Sequence, residues 1–94
     1  MLSWSELASR EQAVVLDIYE KGPDCAKFVA RRFSMELGTA MEMLKRLERE
    51  GWLERVKGTF LSKRVFRRPK HMNHTYYDLS RKARLVVREE RRKG

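Results

Sequence analysis

The sequence is poor in the residues that build disulfide frameworks, metal sites and membrane spans. Its 94 residues include one cysteine, two histidines and two prolines. A lone cysteine cannot form an internal disulfide, which favours an intracellular, cytoplasmic protein. It also excludes a zinc site built on four cysteines or on two cysteines and two histidines. No apolar run approaches the ~20 residues that span a bilayer, so we expect no membrane partner.

Catalytic signatures are missing as well. The sequence contains no glycine-rich phosphate loop, no Ser-His-Asp ordering and no clustered carboxylate pair, so we expect neither an enzyme nor a cofactor. His71 and His74, even with Cys25, make a poor ligand set, and we expect no metal. Asparagine and glutamine occur once each, at Asn73 and Gln12, a usage seen in thermophilic proteins.

Positive charge is concentrated in the second half of the chain. Lysine and arginine number 22 against 13 acidic residues, a net charge of +9. Residues 1–50 carry eight basic and nine acidic side chains, whereas residues 51–94 carry 14 basic and four acidic ones. A charged surface that serves solubility alone needs no such separation. A polyanionic partner is therefore the leading interpretation.

The length allows one domain, residues 1–94, and its first half predicts helices. Ser9 with Gln12 three residues later is a capping box for a first helix, which Gly22 ends. Asp24 is expected to cap a second helix over about residues 24–33.

A third helix is predicted over about residues 36–50, after a turn at Ser34-Met35 and before Gly51. Its apolar stripe, at helical spacing, is Leu37, Ala40, Met41, Leu44 and Leu47. Its outer face is predicted to carry Glu36, Gly38, Thr39, Glu42, Met43, Lys45, Arg46 and Arg49.

The periodicity changes after the third helix. Alternation predicts strands over residues 52–56 and 74–79. Tyr76 and Tyr77 should then point to opposite faces of the strand, one toward the core and the other toward solvent.

Between these strands we expect a turn at 57–59, a strand over 60–66 and a basic, proline-broken loop over 67–73. Ser80 is expected to cap a C-terminal helix over about residues 81–92.

This order of elements predicts a mainly helical α+β fold, the winged helix-turn-helix. It combines a three-helix core, a β-hairpin wing over about residues 52–79 with a long basic loop, and a C-terminal helix. In such an assembly a helix enters the ~12 Å major groove of DNA. The hairpin reaches the backbone or the minor groove beside it.

Several segments of the chain resemble winged-helix transcription regulators of the MarR and ArsR type. They are Ser9-Arg10-Glu11, residues 26–33, residues 44–55 and residues 75–80. The most specific is the L-x-x-L-E-x-x-G-x-L-E-R pattern of residues 44–55. Gly22-Pro23-Asp24 with His74-Thr75-Tyr76-Tyr77 also resembles a small archaeal winged-helix family of undefined role. The resemblance covers residues 9 to about 88 and implies a transcription regulator that binds double-stranded DNA.

Two sets of side chains are predicted to contact DNA. The third helix would bring Thr39, Glu42, Lys45, Arg46 and Arg49 to the major groove. The wing would bring Lys63, Arg64, Arg67, Arg68 and Lys70 to the backbone or the minor groove. Glu42 could accept a hydrogen bond from a cytosine amine, but Glu36 and Glu42 would also face phosphates. Two alternatives therefore stay open: a sequence-tolerant chromatin or RNA-binding protein, and a protein-interaction module that binds no nucleic acid.

Apolar residues at both ends of the chain lie outside the predicted three-helix core. They are Leu2, Trp4, Leu7, Leu85, Val86 and Val87. These side chains pack either within one protomer or across a two-fold axis. The regulators that the chain resembles commonly dimerise through terminal helices, so we expect a homodimer.

Overall fold

The computed structural model describes residues 2–56 and 75–93. Within these residues the chain forms four α-helices and a three-stranded antiparallel sheet, after a short 3-10 turn at Trp4–Glu6. The helices are α1 (Ser9–Lys21), α2 (Ala26–Arg32), α3 (Leu37–Arg49) and α4 (Arg81–Lys93). The strands are β1 (Asp24–Cys25), β2 (Leu53–Val56) and β3 (Tyr76–Leu79). The predicted α+β, mainly helical class is confirmed. The turn, strand and loop predicted over residues 57–73 lie outside the described residues.

The first helix begins at Ser9, the residue predicted to be its cap, so the N-cap lies one residue earlier. Ala8 is the N-cap residue, and its N–H donates to the Glu11 carboxylate at 2.9 Å. The prediction that Ser9 and Gln12 form the capping box was wrong, because Glu11, one residue before Gln12, supplies the acceptor. Gln12 instead donates to the carbonyl of Trp4 at 2.9 Å and ties the N-terminal turn to α1.

Asp24 does not cap the second helix. It forms β1 with Cys25, and the two residues pair with Tyr77 and Tyr76 of β3. Helix α2 therefore starts only at Ala26. Asp24 is fully buried, and its carboxylate forms an ion pair with Arg32 at the end of α2. The side chain predicted to cap the start of α2 therefore binds the other end of that helix. Gly22 ends α1 as predicted, with φ of 99°, a conformation that favours glycine.

The three strands form a sheet in the order β1-β3-β2, with β3 in the centre. Both tyrosines of β3 are buried, each 4% exposed, so the prediction that one would face solvent was wrong. Tyr77 packs into the main core, while Tyr76 packs with Cys25, Phe28 and Val56. Alternation still places the two rings on opposite faces, but this central strand is covered on both.

The core lies between α1, α3, the sheet and α4. Its most buried side chains include Val14, Val15, Ile18, Leu44, Leu47 and Val87. Ser80 caps α4 as predicted: its hydroxyl accepts from the Ala83 N–H at 3.1 Å and donates to the Gly51 carbonyl at 2.6 Å. This bond fixes the start of α4 beside the end of α3. None of the helices in residues 2–56 and 75–93 has the length and apolar character to cross a bilayer.

Candidate nucleic-acid interface

Helices α2 and α3 form a helix-turn-helix pair. The turn contains Ser34 in a left-handed conformation, with φ of 52°, and the Met35 N–H donates to the Ala30 carbonyl at 3.0 Å. The turn predicted at Ser34-Met35 is thus confirmed. Helix α3 packs against α2 and β2, and the exposed residues of the same helix include Thr39, Glu42, Lys45 and Arg49.

The buried face of α3 is rotated from the predicted one. Ala40, Leu44 and Leu47 are buried as expected, but Leu37 and Met41 are 52% and 42% exposed. The prediction that these two join the stripe was wrong, as was the placement of Met43 on the outer face, since Met43 is buried. At 100° per residue, Met43 lies nearer than Met41 to the direction of the three buried residues. Leu37 is the first residue of α3 and projects past the core.

All five candidate contacts of α3 reach solvent on one surface. Thr39, Glu42, Lys45, Arg46 and Arg49 are exposed and line a single shallow groove together with Met43. The structure therefore brings together the whole set that the sequence assigned to this helix. Exposed acids at Glu36, Glu42 and Glu50 lie on the same helix or at its ends, so the cations of Lys45 and Arg49 are nearly balanced.

Arg46 differs from the other four because it has a carboxylate partner in the protein. Its guanidinium forms an ion pair with Glu11, which is only 7% exposed and also accepts from the Ala8 N–H. The Arg46 side chain is half exposed, so it lies at the edge of the groove. One residue thus links α3 to the start of α1, a role that the spacing of charges along α3 did not reveal.

The base of the predicted wing is held by contacts between α3 and the sheet. The Arg55 Nε donates to Glu48 of α3 at 3.0 Å. Burial raises the pKa of the Tyr77 hydroxyl above its ordinary value, and Glu48 adds to the rise while Arg55 opposes it. Val56 and Tyr76 are paired in the sheet, so the chain leaves β2 and enters β3 at neighbouring positions.

The DNA-contact residues predicted for the wing come between Val56 and Tyr76 in the sequence. Lys63, Arg64, Arg67, Arg68 and Lys70 all fall outside the described residues. Their assignment as DNA contacts remains a prediction from charge and sequence position.

A second charged surface was not predicted as a contact site. Helix α4 carries Arg81, Lys82 and Arg88 on its exposed side. The signal was available, since seven of the 13 residues of this helix are basic. The sequence prediction assigned this helix to a dimer contact and did not include these cations among the DNA contacts.

Solved structures with the same fold include transcription regulators. The regulator Tm0710 from Thermotoga maritima matches with a TM-score of 0.72 and 21% identity, over 95% of this chain and 57% of that one. MarR from E. coli, in its apo form, matches with a TM-score of 0.69 and 18% identity, over 90% of this chain and 56% of that one. Reduced AbfR bound to DNA matches with a TM-score of 0.66 and 20% identity, over 90% of this chain and 55% of that one. These TM-scores establish a shared winged-helix fold, and the chain spans little more than half the length of each.

The sequence also matches a family model almost from end to end. A search with the sequence of this chain finds no match among the curated proteins. The family model aligns with residues 5–90, which is most of the chain, and is described as an uncharacterized protein conserved in archaea. The chain therefore belongs to this archaeal family, DUF2250, whose winged-helix fold it shares with MarR-type transcription regulators.

Proposed function

We propose that the chain is a DNA-binding transcription regulator of the cytoplasm, with residues 1–94 acting as one winged-helix domain. Helix α3 enters the major groove, and the basic segment 57–74 contacts the backbone or the minor groove. The observation that carries the proposal is the exposed surface of α3. Thr39, Glu42, Lys45 and Arg49 lie there side by side on a helix that α2 and β2 brace from behind.

The solved structures support the same proposal. Those with this fold include several transcription regulators, and one of them is a complex with DNA. The charge of the segment 57–74 adds to this support, since it holds six basic residues and no acidic one. Within it we propose Lys63, Arg64, Arg67, Arg68 and Lys70 as backbone or minor-groove contacts.

A sequence-tolerant chromatin or RNA-binding protein is the second candidate. The observation that favours it is the charge balance of α3, where Glu36, Glu42 and Glu50 offset Lys45 and Arg49. Arg46, one of the two arginines on this surface that could make a bidentate base contact, forms an ion pair with Glu11 instead. Weak base readout with strong backbone binding would follow from this arrangement.

The proposal includes a homodimer through the terminal segments, and the residue that supports it is Leu85. Leu7 and Val87 are buried, and Leu2, Trp4 and Val86 pack against the core of the same protomer. Leu85 of α4 is 58% exposed and lies beside a groove lined by residues 2–5. A second copy of the chain would cover this side chain.

Duplex binding at several salt concentrations tests the proposal. If ~4–6 phosphates are neutralised per protomer, the logarithm of the binding constant should fall with that of the salt concentration at a slope of roughly −4 to −5. A slope near zero, or no binding to any duplex at low salt, would contradict the proposal and favour a protein-interaction module that binds no nucleic acid. Competition by single-stranded and double-stranded RNA of the same length then separates the DNA regulator from the RNA-binding alternative.

A further inference from the structure

The excess positive charge of the chain comes from two segments, and α4 is the one that the structure describes. Residues 81–93 contain seven basic side chains and two acidic ones, Glu89 and Glu90. Residues 2–56, which include α3, contain nine basic and ten acidic side chains. In the described part of the chain, α4 is therefore the strongly cationic surface.

Contacts within the protomer account for only some of these cations. Arg84 binds Asp78 at 2.7 Å, Arg91 lies 3.5 Å from Glu20 and over the Tyr19 ring, and Arg92 lies 3.8 Å from Glu89.

Four further cations of α4 have no such contact, namely Lys93 at the end of the helix and three others. Arg81, Lys82 and Arg88 are exposed, and none pairs with a carboxylate side chain of residues 2–56 or 75–93. The segment 57–74 offers them none either, because it contains no aspartate or glutamate.

Helix stability does not explain these cations. The N-terminal turn of a helix carries partial positive charge and favours acidic side chains. The first turn of α4 has no acidic residue and begins with Arg81 and Lys82. These two side chains therefore work slightly against the helix that carries them, which points to a partner outside the protomer.

We propose that the exposed cations of α4, chiefly Arg81, Lys82 and Arg88, bind the phosphate backbone of duplex DNA, as a contact additional to α3 and the segment 57–74. This inference rests on the proposed function, because it assumes that DNA is the polyanion. The surface formed by these three residues is the α4 cationic face.

The chemistry of the face selects a continuous polyanion. With a rise of ~1.5 Å per residue, the cations of this face, from Arg81 to Arg88, extend over about 10 Å of helix. A duplex carries one phosphate charge per ~1.7 Å of axis and can therefore meet cations anywhere along this length. A membrane surface would need an apolar stripe, and Leu85 alone is the strongly exposed apolar residue of α4.

Charge-matched variants test the proposal. The first variant is Arg81→Gln with Arg88→Gln. The control is Arg10→Gln with Arg31→Gln, which removes two equally exposed arginines from α1 and α2 that likewise have no carboxylate partner among the described residues. Both variants change the net charge equally, so they differ only in where the charge is lost.

The salt slope on a random duplex is the measurement. Loss of two phosphate contacts should reduce the magnitude of the slope by about 1.8 and weaken binding roughly tenfold or more at low salt. The control should keep a slope close to that of the wild-type protein. Circular dichroism and sedimentation on both variants show whether fold and oligomeric state are unchanged.

The possible outcomes separate this inference from the proposed function. Equal slopes for the two variants, in a wild-type protein that binds DNA, would overturn the inference and leave the proposed function in place. A change of oligomeric state confined to the α4 variant would assign these cations to a subunit contact and also overturn it. Failure of the wild-type protein to bind any duplex would reject both proposals. A reduced slope in the α4 variant alone supports the α4 cationic face.

Discussion

At the scale of single residues, Glu11 has two roles at once. Its carboxylate accepts from the Ala8 N–H at the start of α1 and forms an ion pair with Arg46 of α3. A buried carboxylate needs partners, because leaving it unpaired costs more than the pair itself contributes. Arg46 therefore has a structural role that does not depend on DNA. A substitution at this position is expected to change the stability of the protein as well as any DNA contact that Arg46 makes.

Arg46→Ala should destabilise the protein, whereas Arg49→Ala on the same helix should not. Removing Arg46 leaves Glu11 with one partner fewer, and we expect a loss of about 1–2 kcal/mol in the free energy of unfolding, moderated by the half-exposed position of Arg46. Arg49 has no ion pair within the described residues, so its loss should change stability by less than ~0.5 kcal/mol. Urea unfolding monitored by circular dichroism measures both. Equal effects of the two substitutions would show that the Glu11–Arg46 pair does not support the fold.

Sequence reasoning at this scale located the right segments and missed the partners. The sequence pattern located the start of α1 to within one residue. It could not tell whether Glu11 or Gln12 accepts the hydrogen bond from the N-cap, because Glu11 is held in place by Arg46 of α3. The ion pairs of Asp24 with Arg32 and of Glu11 with Arg46 join residues eight and 35 positions apart. Such contacts follow from the tertiary arrangement and leave no local pattern in one sequence.

At the scale of elements, α3 has one side that stabilises the fold and another that is free to bind. Leu44 and Leu47 are fully buried, while Leu37 and Met41 extend from the same helix into solvent. The helix itself was predictable from its apolar spacing, and its observed range, Leu37–Arg49, lies within the predicted one. Its exact rotation was not, because Met41 and Met43 are equally compatible with an apolar stripe until the neighbouring elements are known.

Two leucines of α3 test this division. Leu44→Ala should lower the free energy of unfolding by ~2–5 kcal/mol, because it removes buried methyl groups and leaves a cavity. Leu37→Ala, the same chemical change at a position 52% exposed, should alter stability by no more than ~0.5 kcal/mol. Thermal or urea unfolding of the two variants provides the comparison. A large cost at Leu37 would mean that another part of the protein covers the start of α3.

The sheet shows where sequence reasoning on elements reaches its limit. Strands β2 and β3 were predicted because four to six residues of alternating or aromatic character are enough to indicate a strand. Strand β1 contains two residues and has no period to detect. Its pairing with β3 makes β3 central and sets Cys25 opposite Tyr76. Tyr76 packs with Cys25, Phe28 and Val56 while Tyr77 packs into the main core, so both rings are buried despite the alternation of their side chains.

At the scale of the whole molecule, the helix-turn-helix and most of the excess positive charge lie in different parts of the chain. Residues 2–56, which include the helix-turn-helix, carry nine basic and ten acidic side chains, so as a whole they contribute shape but no net positive charge to attract DNA. Attraction must come from the segment 57–74 and from α4. This arrangement predicts that the segment 57–74 and α4 bind the DNA backbone in a strongly salt-dependent way. Any preference for a DNA sequence would then come from a few side chains of α3.

The most direct test of the central claim, that α3 reads DNA in the major groove, compares two duplexes for each variant. The wild-type protein selects a preferred duplex from a random pool, and Lys45→Ala and Arg49→Ala are titrated against it and against a random duplex at one salt concentration. A base contact by either residue should cost ~1–3 kcal/mol on the selected duplex and clearly less on the random one. We expect this difference for at least one of the two. Equal losses on both duplexes, for both residues, would contradict base reading by α3 and identify the protein as a sequence-tolerant binder.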